Sequence, residues 1–168
     1  MAIEVSDYPS VMSKCKSLGF DVKKGIVLLP KNFEEMESLD ESVHFSSSTT
    51  VSKLLHKANL TALVVEQEGE QKRLVQKNVT WYGPILFFAV AELSSNPQLL
   101  TVSLGVISNY LTTLFKGAPK DEVEISLNIV TEQTKTKKTR KFEYRGGIEG
   151  LKTLEHAILE EVKNDAGN

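Results

Sequence analysis

Two β-hairpins are predicted. In the first, residues 60–66 and 72–80 flank a loop whose length and central glycine suit a hairpin, and in the second, the strictly alternating residues 123–129 pair with a segment around 142–144 across a polar loop. This alternation is typical of strands with one buried face, and a short polar loop between two such strands is typical of a hairpin. A continuous apolar run at 25–30, bounded by glycine and proline, predicts one further, fully buried strand.

Apolar side chains at helical spacing, together with helix start and stop residues, predict the helices. The predicted helices cover residues 7–18, part of 31–41, 51–58, 84–94, 97–115 and 148–163. With hairpins in place of β-α-β crossovers, this order of elements predicts an α+β fold. We expect a mainly antiparallel sheet built from two β-hairpins packed against several helices. The length fits a single domain, 1–168, with 1–80 and 81–168 as candidate subdomains.

Residues 93–115 contain no charged side chain. Their length matches a membrane span, but serine, threonine and asparagine are too frequent within 98–115 for a stable span. Leucine and isoleucine recur there at positions i, i+4 and i+7, which is the spacing of an amphipathic helix. The segment therefore predicts a helix with one apolar face and no membrane span.

A neighbouring stripe of this helix is small and neutral. Its residues are Thr101, Gly105, Ser108, Asn109 and Thr112. A solvated helix face normally carries charged side chains, so we infer that this face is covered and that water does not reach it. The cover could be another part of the same chain, the 84–94 helix or a sheet, or it could be a protein partner or a second copy. Small residues allow another backbone to approach closely.

Overall composition excludes several classes of function. The formal net charge is −2, so no whole-protein field attracts nucleic acid or anionic lipid. The single cysteine, Cys15, and an N-terminus without the features of a signal peptide predict a cytoplasmic chain. The three histidines are scattered and no zinc, Walker or nucleophile motif is present, so we expect no metal, no cofactor and no catalytic residue.

One segment is strongly basic and supports an alternative function. It contributes Lys135, Lys137, Lys138, Arg140 and Lys141 to the second hairpin. Cations at the tip of a β-ribbon can contact phosphates, so the chain could be a nucleic-acid-binding accessory protein. No aromatic residue is interleaved for base stacking, and such runs are commonly solvated turns.

A glycine-rich turn at 146–150 supports a third function. It follows a strand and opens a helix, where backbone N–H groups can hold an anion. The chain could thus be a small-ligand sensor or an enzyme at this turn. However, Glu149 lies in the first turn, where a phosphate would need to be, so a tight packing turn is the simpler interpretation.

The stretch 84–162 resembles small accessory modules associated with effectors in bacterial conflict (anti-phage) systems. The features that carry the resemblance are Asn96-Pro97, the helical segment 104–111, the hairpin of 123–129 with 142–144, and the helix 150–162. The resemblance implies an adaptor without catalysis, encoded near an NTPase or effector. The N-terminal half is not covered by it. Together with the neutral helix face, it favours a non-enzymatic protein-interaction or assembly module.

Overall fold

The structure is a computed structural model that describes residues 1–66, 72–74 and 80–166. Its strands are β1 Ala2–Asp7, β2 Ile26–Leu29, β3 Val43–Phe45, β4 Ala62–Val64, β5 Lys72–Leu74, β6 Thr80–Ala89, β7 Glu124–Gln133 and β8 Lys138–Gly146. Its helices are α1 Val11–Leu18, α2 Ser47–Lys57, α3 Val90–Ser95, α4 Gln98–Leu114 and α5 Leu151–Ala166. Single 3₁₀ turns occur at Leu39–Glu41, Lys120–Glu122 and Ile148–Gly150.

Six strands form one mixed sheet in the order β1-β8-β7-β6-β2-β4. The pairs β1/β8, β8/β7 and β6/β2 are antiparallel, whereas β7/β6 and β2/β4 are parallel. The prediction of a mainly antiparallel sheet is therefore wrong. The reason is that β6 and β7 are joined through α3 and α4, a crossover that brings the chain back in the same direction.

Residues 80–89 form a strand, so the predicted 84–94 helix is wrong over most of its length. Side chains 83–88 are buried on both faces of β6. A central strand covered on both faces is apolar throughout, and such a run has no strand periodicity to distinguish it from a buried helix. Pro84, a residue that cannot donate to a ladder, lies where the β6/β7 register shifts between Tyr82 and Ile85.

The first predicted hairpin is also wrong within the described residues. Strand β4 pairs with β2, and β5 pairs in parallel with β3 in a separate two-stranded sheet. The loop 67–71 of that prediction lies outside the described residues. Strand β1 was not predicted. The partly helical segment predicted at 31–41 contains turns and one 3₁₀ turn. The second hairpin segment is present as the antiparallel pair β7/β8.

The two faces of the sheet carry different layers. Helices α2, α3, α4 and α5 pack on one face, against alternate side chains such as Leu86 and Phe88 of β6. On the other face α1 and the turns after β2 cover Ile85, Phe87 and Val130. That second layer is shorter than the sheet. It leaves the β1, β8 and β7 part of the same face polar and open.

A buried carboxylate joins α1 to the sheet. Glu132, near the end of β7, is only 4 % exposed. Its Oε1 accepts hydrogen bonds from the Val11 backbone N–H at 2.6 Å and from the Thr139 hydroxyl at 2.9 Å, and its Oε2 accepts one from the Ser10 hydroxyl at 3.2 Å. The sheet thus supplies an acceptor for the first turn of α1, where backbone N–H groups lack partners within the helix.

Removing this carboxylate should destabilise the chain. We expect Glu132→Ala to lower the free energy of unfolding by about 1–3 kcal/mol, because the buried Val11 N–H and Thr139 hydroxyl lose their acceptor. Glu132→Gln, which keeps an acceptor oxygen, should lose less. Urea unfolding measures both. The surface control Glu122→Ala should change the value by no more than about 0.5 kcal/mol, and an Ala variant as stable as the wild type would contradict the assigned role.

Candidate functional site

Helix α4 carries the charge-free segment and lies in the layer of four helices. Leu100, Leu104, Ile107 and Leu111 point into the core, and Ser103 is buried with them. The helix contacts α2, α3 and α5. The predicted amphipathic character of this segment is thereby present in the fold.

The opposite face of α4 is open in the single chain. Gly105, Asn109 and Thr112 are exposed, and Thr101 and Ser108 are half-buried. The expectation that water does not reach this surface is therefore wrong for the single chain. The 84–94 segment, one predicted cover, does not lie over this face. Its first part is β6, which lies beneath the helix layer, and its second part is the start of α3, which lies beside α4. A docking role for this face therefore depends on its polarity and shape.

Two threonine hydroxyls on the outer side of α4 are already paired within the helix. Thr112 donates to the Ser108 carbonyl at 2.8 Å, and Thr113 donates to the Asn109 carbonyl at 3.2 Å. The face is consequently less polar than its composition indicates, since these donors do not need water.

Next to this face, α4 and α5 form a groove. One depression of ≈ 450 Å³ is lined by Thr101, Gly105, Ser108 and Asn109 of α4 and by Lys152, Glu155 and His156 of α5, among others. A second, of ≈ 470 Å³, continues past Ser108 and Thr112 toward Ile148. All five residues of the predicted interface therefore line this pair of depressions, which we call the α4–α5 groove. At its edge the Thr101 hydroxyl donates to Glu155 at 3.2 Å.

Gly105 lies in this groove with open space above it. A Cβ atom built on Gly105 would meet no atom within 4 Å outside its own helix backbone, and the residue has no left-handed backbone angle. No packing in the single chain therefore requires glycine at this position. Glycine in a helix interior costs roughly 0.5–1 kcal/mol relative to alanine.

Two large apolar side chains are exposed on the same helix. Val102 is 38 % exposed and Leu114 is 50 % exposed. Neither has a charged neighbour on α4, because the helix contains none. Leu114, nine residues after Gly105, lies on the opposite side of the helix and lines a separate depression with Tyr82 and Tyr110.

The basic residues of the second hairpin do not form one free cationic surface. Lys138 lies 3.6 Å from Asp165, Arg140 lies 2.9 Å from Glu161, and Lys141 lies 2.6 Å from Glu143. Arg140 and Lys141 also point to opposite faces of β8, because successive strand side chains alternate. Among the described residues, no ion pair involves Lys135 or Lys137, which lie at the loop between β7 and β8.

The glycine turn is filled by the chain's own groups. The Tyr144 hydroxyl donates to the Gly147 carbonyl at 2.5 Å, and the Glu149 carboxylate folds against Gly147, where an added Cβ would lie 2.7 Å from its Oε1. Burial, with a contribution from Glu149, raises the pKa of Tyr144, so the phenol stays protonated and remains a donor. An anion at this turn would meet the Glu149 carboxylate.

Cys15 is not arranged as a nucleophile. It is fully buried on α1, and burial, with Glu132 nearby, raises the pKa of its thiol to about 11. A thiol that stays protonated is a poor nucleophile and a poor metal ligand. His56 and His156 are exposed on separate helices. Over the ranges 1–66, 72–74 and 80–166, no three His, Cys, Asp or Glu residues are grouped so as to hold a metal ion.

The sequence did not indicate one further surface, the open polar part of the sheet. A depression of ≈ 270 Å³ lies there, lined by residues that include Glu4, Ser126, Asn128, Glu143 and Arg145. The polar positions of β7 were the available signal, but β1 was not predicted, so the surface could not be assembled. Its charges pair locally, as Arg145 does with Glu124 at 3.3 Å, which is typical of a solvated sheet face.

Comparison of the chain with protein families, with curated proteins and with solved structures found no match. In the part of the chain that the structure describes, no helix has the length and apolar character to cross a membrane. We therefore infer the function from the geometry of the chain itself.

The open space above Gly105 leads to a stability prediction. Gly105→Ala should raise the free energy of unfolding by roughly 0.5–1 kcal/mol, because alanine lowers the entropic cost of the helix and its Cβ meets nothing. Chemical denaturation measures the change. Gly83→Ala is the opposite control, since its Cβ would lie 2.6 Å from the Trp81 ring and 2.7 Å from Leu127, and it should destabilise. A loss of stability in Gly105→Ala would show that the groove is part of the core.

Proposed function

We propose that this chain is a non-enzymatic protein-interaction module that receives an α-helix of a partner protein in the α4–α5 groove. The observation that carries the proposal is Gly105, a glycine in a helix interior that no contact of the single chain requires. Its helix would be more stable with alanine. A close approach from outside the chain is a physical reason for glycine at this position.

The low cost of removing water from this surface supports the proposal. Thr112 and Thr113 donate to carbonyls of their own helix, so their hydroxyl hydrogens lose no partner when a second surface covers them. No ion on α4 has to be desolvated, which avoids the largest penalty in forming an interface. Val102, three residues before Gly105 on the same helix, is an exposed apolar side chain that water need not solvate.

The shape and charge of the groove favour a helix as the occupant. At 1.5 Å per residue, the face of α4 from Gln98 to Leu114 is roughly 25 Å long, which matches several turns of a docked helix. We expect small or apolar residues on the partner at positions i, i+4 and i+7, facing α4. Polar residues at its edge would meet Lys152 and Glu155 on the rim formed by α5.

The resemblance to anti-phage accessory modules gives this proposal a biological context. Under that hypothesis the docked helix belongs to an effector or NTPase encoded nearby. No catalytic group is needed in an adaptor of this kind, and the buried, protonated Cys15 is compatible with that role.

Filling the groove should abolish partner binding without unfolding the chain. We expect Gly105→Leu and Ser108→Arg to reduce partner affinity at least ten-fold, about 1.4 kcal/mol, because each places bulk or charge where the helix would lie. The measurement is affinity capture from the native host with wild-type and variant baits, followed by titration of the identified partner. Thermal unfolding monitored by circular dichroism should show that both variants remain folded.

A matched control separates the groove from surface charge in general. Ser17→Arg places the same substitution on α1, where Ser17 is exposed and its hydroxyl donates to the Ser13 carbonyl at 3.2 Å. It should leave binding unchanged. Partner affinities that are equal for wild type, Gly105→Leu and Ser108→Arg would contradict the proposal. A second copy in the groove, detected as a dimer that Gly105→Leu dissociates, would replace the partner helix as the occupant.

Nucleic-acid binding is a second candidate, favoured only by the unpaired Lys135 and Lys137. Because these are the two of the five basic hairpin residues without a carboxylate partner among the described residues, the affinity for duplex DNA should depend on log salt with a slope no steeper than about −2. Titrations at several salt concentrations measure the slope, with Lys135→Gln/Lys137→Gln as the variant. A slope of about −4 or steeper would show that Lys138, Arg140 and Lys141 leave their carboxylate partners to bind phosphates.

A further inference from the structure

Strand β1 forms one edge of the six-stranded sheet, and its outer side has no partner among the described residues. Its partner there is β8, from Ala2 opposite Arg145 to Asp7 opposite Arg140. Apart from the half-buried Ile3, every residue of the strand is exposed, including Val5 at 50 %. Edge strands are usually protected from further pairing by charged side chains, above all lysine, by proline or by a bulge. Strand β1 has no lysine or proline and an unbroken register with β8, and of its two charged side chains, Glu4 and Asp7, the second lies 3.8 Å from Arg140.

The hydrogen bonds to β8 define which backbone groups of β1 face outward. The Tyr8 N–H donates to the Thr139 carbonyl at 3.0 Å, directly beyond the pair Asp7 and Arg140. In an antiparallel pair, hydrogen-bonded and non-hydrogen-bonded positions alternate. Ser6, Glu4 and Ala2 therefore bond to β8 like Tyr8, and the N–H and C=O groups of Asp7, Val5 and Ile3 point away from the sheet.

We propose that a second copy of this chain adds its own β1 to this edge, antiparallel and with Val5 opposite Val5 on a twofold axis. This contact goes beyond the helix-docking function and does not depend on it. In this register Ile3 of each copy faces Asp7 of the other. All of these positions have outward N–H and C=O groups, so each facing pair can exchange two backbone hydrogen bonds.

Charge and a proline select this register over its two neighbours. With Val5 on the axis, Glu4 of one copy lies opposite Ser6 of the other. A shift of the pairing by two residues in one direction would place Glu4 directly opposite Glu4, and like charges at facing positions are destabilising. A shift by two residues in the other direction would place Ile3 opposite Pro9, which cannot donate a backbone hydrogen bond. A shift by one residue would pair residues whose side chains lie on different faces of their own sheets. A twofold axis perpendicular to the sheet does not allow this, because it keeps the equivalent faces of both copies on the same side. The seam also ends cleanly at Pro9, which cannot donate.

The contact should be of modest strength. A paired segment from Ile3 to Asp7 is roughly 17 Å long at 3.4 Å per residue, which is short compared with the surface of a standard stable interface. We therefore expect a dimer that dissociates on dilution and that sedimentation velocity detects as a concentration-dependent equilibrium between about 1 μM and 1 mM.

Substitutions at Ser6 test the register, because Ser6 faces one residue within the chain and a different residue across the proposed dimer. Within the chain Ser6 faces Lys141, so Ser6→Glu is compatible with the monomer, whereas in the dimer it places a second carboxylate opposite Glu4. We expect Ser6→Glu to weaken the dimer on the order of ten-fold over its two symmetric contacts. The double variant Glu4→Lys/Ser6→Glu places opposite charges across the seam and should restore the dimer. Failure of this restoration would overturn the register.

Proline at two adjacent positions tests the edge itself. Val5→Pro removes an N–H that points outward, so it should abolish the dimer and leave the monomer folded. Ser6→Pro removes an N–H that bonds to β8 and should destabilise the monomer instead. The proposal is overturned if the wild-type chain remains monomeric throughout the concentration range, or if a dimer survives Val5→Pro. A dimer that Gly105→Leu abolishes would also overturn it, and would locate self-association in the α4–α5 groove.

Discussion

The two-sided burial of β6 is the constraint on which the rest of the fold depends. Its side chains from Ile85 to Phe88 alternate between two separate cores, and both must be covered. Burying a large apolar side chain contributes about 1.5–3 kcal/mol, so neither face of this strand can be left to water. The chain meets this demand with four helices on one side and, on the other, with α1 held at its first turn by Glu132.

This unequal covering decides which surfaces remain available. Because β7, β8 and β1 extend beyond α1, their second face is polar and self-paired. On the other side α4 completes the core with its leucine stripe, and none of the described residues forms a further layer above it. Its outer face is therefore neutral and partly open, because one layer of helices is enough to cover this side of the sheet. Gly105 lies on this face, where alanine would stabilise the helix and would meet no neighbouring atom.

Local pattern predicted the elements whose periodicity is set by one buried face and one solvated face. Helices α4 and α5 and the pair β7/β8 belong to this group, and the five residues Thr101 to Thr112 of the candidate interface do share one surface. The pattern failed where tertiary contacts override it. Strand β6 has no polar face to reveal its period, and β1 is mostly exposed, so its strand conformation comes from pairing with β8. Strand β4 lies within the strand predicted at 60–66, but its partner is β2 and not the predicted hairpin segment 72–80. The sequence also could not predict whether the neutral face of α4 is covered, because the absence of charged side chains does not show what packs against a helix.

The symmetry of the proposed β1 dimer relates the α4–α5 grooves of its two copies, and this relation has a consequence. The twofold axis of the β1 seam is perpendicular to the sheet, so it maps the helix-bearing face of one copy onto the helix-bearing face of the other. Both α4–α5 grooves would then open on the same side of a continuous sheet. A partner that presents two helices could occupy both grooves at once, and the second contact would form at the high effective concentration set by the first. A weak seam and a shallow groove could in this way produce a stable assembly, because avidity supplies the stability that neither surface has alone.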